Sequence, residues 1–211
     1  CIRDRYLRMM ADRLRKPLVI LLALGSNSGS HLGTSPLSQV AQNYGGFFGI
    51  VTVIAGGNET GMAHHFSGTI PADQEWEDVE IRVGQEEAAR GFVLELWTAD
   101  ADTYTVGFIS PSGERISRIP IIANNETSIP FLLDASTITV NYQLIEAESG
   151  SQLIFMRFET PAAGIWTVRV YNTQRFTGTF HMWLPVTGMI SDETVFLRPD
   201  PYSTILSLIH I

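Results

Sequence analysis

Gly49-Ile50-Val51-Thr52-Val53-Ile54-Ala55-Gly56-Gly57-Asn58-Glu59 reads as an apolar strand that runs into small residues and then meets one amide-bearing side chain. A strand end fixes the backbone, the glycines admit a closely approaching chain, and Asn58 can aim its side-chain NH2 at a developing negative charge. Alone, Gly-Asn after a strand reads as a turn. The residues upstream change that reading. Pro17-Leu18-Val19-Ile20-Leu21-Leu22-Ala23-Leu24-Gly25-Ser26-Asn27-Ser28-Gly29 is an apolar run that empties into a glycine and serine loop. Ser35 is a natural N-cap with Pro36 at the first helical position, and Leu37, Val40, Ala41 and Tyr44 then share one helix face. Strand, loop, helix, strand and Asn make one α/β unit. Because Leu18 to Leu24 is continuously apolar, it predicts a parallel-sheet strand buried on both faces. Before it, Ile2, Tyr6, Met9, Met10 and Leu14 recur near helical spacing among charges, and Pro17 stops that amphipathic helix.

Beyond Asn58 the pattern becomes a succession of short β-type runs, at 79–83, 91–98, 103–109, 127–133, 137–145, 152–159, 166–171 and 176–184. They are divided by turn clusters such as Pro111-Ser112-Gly113 and Glu148-Ser149-Gly150. This spacing indicates a β-sandwich or jelly roll. Alternation in Trp166-Thr167-Val168-Arg169-Val170-Tyr171 sends every second residue to a core. The fold class expected is therefore α/β plus all-β, with an α/β unit over 1–66, a β-sandwich over 67–195, and a return toward the first unit over 196–211. The last six residues, Leu206 to Ile211, break the preceding pattern and read as an artefactual tail. With the start at Cys1 inside a helix, they mark the chain as a fragment.

The 211 residues are 45% hydrophobic and 17% charged, enough to bury a sizeable core. A formal net charge of -8 and a pI near 5.0 argue against nucleic-acid binding, because most of this surface would repel phosphates. No apolar run reaches the roughly 20 residues needed to span a bilayer, so no membrane association is expected. The lone cysteine, Cys1, cannot form an internal disulfide, which suits a reducing compartment. With no secretory signal visible, a cytoplasmic or spore-associated location is favoured.

Ala23-Leu24-Gly25 and Val53-Ile54-Ala55-Gly56-Gly57-Asn58-Glu59 resemble the segments around the oxyanion asparagine of the subtilisin-like serine proteases, with small-for-small departures at Ala23 and Gly56. More narrowly, the chain looks like the Csp-type subtilases of spore-forming Firmicutes, in which a jelly roll interrupts the protease domain. Ser26 to Leu37, His64-His65-Phe66, Phe108-Ile109-Ser110-Pro111-Ser112-Gly113-Glu114, Gly164-Ile165-Trp166-Thr167-Val168-Arg169-Val170-Tyr171 and Phe196-Leu197-Arg198-Pro199-Asp200-Pro201 carry that likeness. The resemblance implies a partial subtilisin-like parallel α/β sheet with an inserted jelly roll. It also implies peptide-bond hydrolysis by an Asp-His-Ser triad lying outside this chain, a protein or peptide substrate, and no cofactor. Asn58 would be the catalytic oxyanion donor, and Leu24, Gly25, Ala55 and Gly57 would line the substrate pocket. Two alternatives stand beside this: a non-catalytic pseudoprotease with a regulatory role, and a jelly-roll binding module.

Gly33-Thr34-Ser35 mimics the family's nucleophile motif, but Ser35 precedes Asn58, whereas the family order places the serine after the asparagine. Ser35 is therefore read as a helix cap. His64 and His65 are adjacent and face opposite ways in an extended chain, so with no third ligand at suitable spacing no metal site is expected. These two and His31 are read as loop surface. The aromatics Trp97, Tyr104, Phe108, Phe155, Phe158, Trp166, Tyr171 and Trp183 are read as core filling rather than a sugar platform, and Asp73, Glu75, Glu77 and Asp78 as a solvated acidic loop.

Overall fold

The structure, a computed structural model, describes residues 2–98, 101–122 and 125–200. Cys1 and the 206–211 tail lie outside the described residues. The N-terminal part contains α1 (Ile2–Leu14), β1 (Leu18–Leu22), α2 (Pro36–Gly45) and β2 (Ile50–Ile54). Ser35 caps α2 as its sequence predicts: its side chain accepts a bond from the Ser38 amide, and Pro36 occupies the first turn. β1 and β2 pair in parallel from Leu18↔Ile50 to Leu22↔Ile54.

The remaining elements are β3 (His65–Thr69), β4 (Trp76–Val83), α3 (Gln85–Arg90), β5 (Phe92–Thr98), β6 (Thr103–Ile109), β7 (Arg115–Ile116) and β8 (Glu126–Phe131). β9 (Ser136–Gln143), β10 (Leu153–Glu159), β11 (Gly164–Gln174), β12 (Thr179–Trp183) and β13 (Val195–Phe196) complete the chain order. Among the described residues these strands form two wholly antiparallel sheets, ordered β3-β12-β5-β10-β9-β8 and β13-β4-β11-β6-β7.

The two sheets share one core. Val79, Ile81 and Val83 of β4 and Trp166, Val168 and Val170 of β11 meet Leu94 and Leu96 of β5 and Ile154, Met156 and Phe158 of β10. Period-two alternation along β11 puts Trp166, Val168 and Val170 inside while Thr167 and Arg169 face outward, where Arg169 bonds Asp78 through both Nε and Nη2. The Trp166 ring meets Phe131 and Phe158 edge-on, at centroid distances of 5.0 and 5.6 Å, and its Nε1 donates to the Ala162 carbonyl at 2.8 Å.

The six-stranded sheet also has a covered outer face. Trp97, Leu153 and Trp183 form a second buried cluster there, with Phe155 packed against it. Thus Tyr104, Phe108, Phe158 and Trp166 fill the main core, Trp97 and Trp183 the second cluster, and Tyr171 is half-buried beside Trp76.

The expected subtilisin-like parallel α/β sheet is not what the chain forms. Among the described residues, parallel pairing is confined to β1 and β2 apart from an isolated Thr187–Ile190 bridge, helix is limited to three short segments, and the chain is predominantly antiparallel β. Nor is β1 buried on both faces. A parallel strand is enclosed only where layers cover both sides of its sheet. Here alternate residues stay open: Val19 is 65% exposed, Leu21 67%, and their partners Val51 and Val53 55% and 44%. A continuous apolar run does not distinguish a covered face from an uncovered one.

Candidate functional site

β1 and β2 end side by side, and the segments just beyond their C-terminal ends line one cleft of about 460 Å³. From the end of β1 come Ala23, Leu24 and Gly25; from the end of β2 come Ala55, Gly56, Gly57, Asn58 and Glu59. Parallel register forces this: the two strands start and stop together, so both chains leave the sheet at the same edge. The Ala55 amide still bonds the Leu22 carbonyl at 3.1 Å, carrying the pairing one step past β2. Gly57 then takes a φ of +86°, a conformation disfavoured for other residues, and turns the chain before Asn58. The five residues singled out from sequence, Leu24, Gly25, Ala55, Gly57 and Asn58, all lie on this cleft. Asn58 is exposed, and its side-chain amide has no hydrogen-bond partner among the described residues.

Sequence reading missed how that turn is anchored. Glu59 is 5% exposed, and its carboxylate accepts bonds from Nδ1 of His64 at 2.8 Å, from the Thr187 amide at 3.2 Å to each oxygen, and from the Thr187 hydroxyl at 3.2 Å. Thr187 and its neighbour Val186 also line the cleft. Nothing local to residue 59 could have announced a partner 128 positions away.

The 26–35 loop is fastened just as firmly. The Asn27 side-chain amide donates to the Leu184 carbonyl at 3.0 Å, and the Gly29 amide donates to Glu95 Oε2 at 2.9 Å. Glu95 also accepts from the Trp97 indole at 2.9 Å, so the loop covers the outer face of β5. His31 stacks on Trp183 at 4.0 Å, and His65 stacks on Trp183 at 3.8 Å. His65 Nε2 lies 3.0 Å from His181 Nδ1.

The histidines are therefore not loop surface. His64 and His65 are both buried, and they do point opposite ways: His64 to Glu59, His65 to His181 and Trp183. Burial holds His31 down at about 4, against the raising effect of the Asn27 carbonyl, with His181 lowering it further. Burial also pushes His65 down to about 4, with His181 adding to the effect and Asp200 opposing it. His181 is lowered by burial as well. The stack is neutral at pH 7, an aromatic staple rather than a charged centre. Among the described residues no group of three His, Cys, Asp or Glu side chains is placed to hold a metal.

The chain is similar to a solved protease structure. That structure is the CspB protease of Clostridium perfringens, which matches with a TM-score of 0.80 and 26% sequence identity over 93% of this chain. The match occupies 40% of the CspB chain, so this sequence corresponds to less than half of that protein. No family model matches the chain, and no curated protein does either. The likeness to CspB supports a protease-related fragment, and it spans both the cleft-bearing segment and the β-sandwich. No described helix is long and apolar enough to cross a membrane.

Proposed function

We propose that the chain is part of a serine endopeptidase of subtilisin type and supplies its oxyanion donor and one wall of its substrate cleft. Residues 67–195 would be an insertion in that enzyme. The observation that carries this reading is Asn58: an exposed amide without a hydrogen-bond partner among the described residues, at the rim of a cleft whose neighbouring walls are strand ends and glycines. A peptide laid along Leu24-Gly25 would pair with backbone groups that β1 leaves free beyond Leu22, as an added strand does. The carbonyl of its scissile bond would then lie near the Asn58 amide. When a serine attacks that carbonyl, negative charge grows on the oxygen, and a donor fixed there stabilises the transition state more than the ground state.

The catalytic aspartate, histidine and serine of such an enzyme are assigned to no residue here. His64 faces Glu59 in a buried pair, and His31, His65 and His181 are committed to the Trp183 stack. Ser35 is engaged as the α2 cap. The protein would work without a cofactor, and its partner would be a peptide or an unfolded protein segment.

The test is to express the full-length protein and treat it with a fluorophosphonate probe while following hydrolysis of a peptide library. Covalent labelling of one serine together with peptide cleavage is the expected result. A folded full-length protein that neither labels nor cleaves would favour a non-catalytic role.

A further inference from the structure

A second cleft, of about 360 Å³, opens at the end of the five-stranded sheet where β4 begins and β11 finishes, and it shares no lining residue with the Asn58 cleft. The Asn172 amide bonds the Glu75 carbonyl at 3.0 Å, so the β4–β11 pairing continues one step past Trp76. Against β6, the register of β11 slips between Asn172 and Gln174, an irregularity of the kind that re-aims neighbouring side chains. Gly107 lets the chain after β7 cross close to β6: a Cβ there would meet the Ile116 carbonyl oxygen at 2.8 Å and the Tyr171 ring at 3.3 Å. That crossing delivers Arg118 to the cleft. Its Nε donates to the Thr105 hydroxyl at 2.7 Å, and its Nη2 to the Asn172 carbonyl at 3.2 Å and the Thr173 hydroxyl at 2.7 Å. Its Cζ lies 5.6 Å from the Tyr171 ring centroid. All three acceptors are neutral, and Nη1 has no acceptor among the described residues. Arg175, also exposed, lines the same cleft.

We propose that this cleft binds a small hydroxylated carboxylate of sugar-acid size, its carboxylate held between Arg118 and Arg175. Charge is the first support. Arg90, Arg157, Arg169 and Arg198 each meet a carboxylate within 3.8 Å. Arg118 and Arg175 meet none among the described residues, although the chain carries a net charge of -8. Neutral partners fix the Arg118 guanidinium in place and leave its charge for an incoming anion. Glu75 is the one acid lining the cleft, so two arginines against one acid leave the lining a single positive charge. That balance suits one carboxylate better than a phosphate monoester, whose charge at pH 7 is nearly double. Around the arginines the cleft offers the Gln74 amide and the Thr173 hydroxyl, groups that pair with ligand hydroxyls. Its volume is at the lower end of small-molecule pockets. Neither arginine lines the Asn58 cleft, so the site is independent of peptide cleavage.

The experiment is isothermal titration of the full-length protein at pH 7, with glucuronate as the probe, glucose as its uncharged counterpart and glucose 6-phosphate as its phosphate counterpart. Saturable binding of glucuronate, none of glucose and weaker binding of glucose 6-phosphate are expected. Arg175→Gln changes a side chain that bonds nothing among the described residues, so the melting temperature should hold while glucuronate affinity falls at least about tenfold, the loss that goes with a charge-assisted hydrogen bond. Glu75→Gln removes the like charge and should tighten glucuronate binding. A folded protein that fails to bind glucuronate, binds glucose equally well or prefers glucose 6-phosphate would overturn the assignment, as would an affinity indifferent to Arg175→Gln and Glu75→Gln.

Discussion

Acid should loosen this protein through the histidine stack before it reaches the carboxylates, and His65 is the residue with which to show it. Folded, His65 titrates near 4; unfolded, it would titrate near 6.5. A depressed histidine has a definite sign. Above pH 6.5 neither state binds the proton and stability is flat. Between 6.5 and 4 the unfolded chain takes a proton that the folded chain refuses, so stability falls as pH falls. Below 4 both states bind it and the loss stops growing. At about 1.4 kcal/mol per pH unit, and with both titrations partial at the ends of the interval, lowering the pH from 7 to 4.5 costs about 2.4 kcal/mol from this ring alone. His65→Phe keeps an aromatic ring against Trp183 and removes the titrating nitrogen. Chemical denaturation at pH 7 and at 4.5 should show the variant losing about 2 to 3 kcal/mol less than the wild type over that interval. Equal losses in the two proteins would refute the argument, because removing His65 also removes its repulsion of His31 and His181, which widens the difference rather than closing it.

Other perturbations act on the same network of contacts. Trp166→Ala opens the core where Phe131 and Phe158 meet the indole and leaves the Ala162 carbonyl without its donor; a loss of about 3 to 5 kcal/mol in urea unfolding is expected. Asp102 is buried, and its carboxylate accepts from the amides of Phe176, Thr177 and Gly178 and from the hydroxyls of Thr177 and Tyr104, so Asp102→Ala strips these five donors of their acceptor and should lower stability by about 3 kcal/mol. Burial raises the Asp102 pKa, but these bonds, led by the Thr177 hydroxyl, outweigh it and hold the group below its ordinary value; the variant should therefore lack the part of the acid sensitivity that appears below pH 4. Glu59→Ala unpairs Nδ1 of the buried His64 and the Thr187 amide, and should cost about 2 to 3 kcal/mol, with faster amide exchange at 55–59 and at 187 than elsewhere.

The β-sandwich was largely legible in the sequence because its strands alternate, and alternation reports which face is covered. β6 runs over Thr103–Ile109 as read, and β5 and β10 begin within one residue of expectation. The short edge strands were not legible. β7 and β13 have two residues each, too few to show any period, and α3 is a single helical stretch between two strands. The β1–β2 pair shows the opposite failure: its strands were located, but their burial was misjudged, since hydrophobicity records what a face would bury and not what covers it. The candidate cleft was half readable. Residues 23–25 and 55–58 announce themselves as strand ends running into small residues, whereas Val186 and Thr187 reach the site only through tertiary pairing with Glu59. The buried histidines were misread because adjacency in sequence says nothing about Trp183, 118 positions beyond His65.

The most direct test of the central claim is to replace Asn58 with alanine in the full-length protein and measure kcat on a cleaved peptide. One oxyanion donor contributes about 2.7 to 4 kcal/mol, a magnitude borrowed from a subtilisin asparagine, so kcat should fall about 10² to 10³-fold while the melting temperature holds. Undiminished kcat in a folded Asn58→Ala protein would contradict the account.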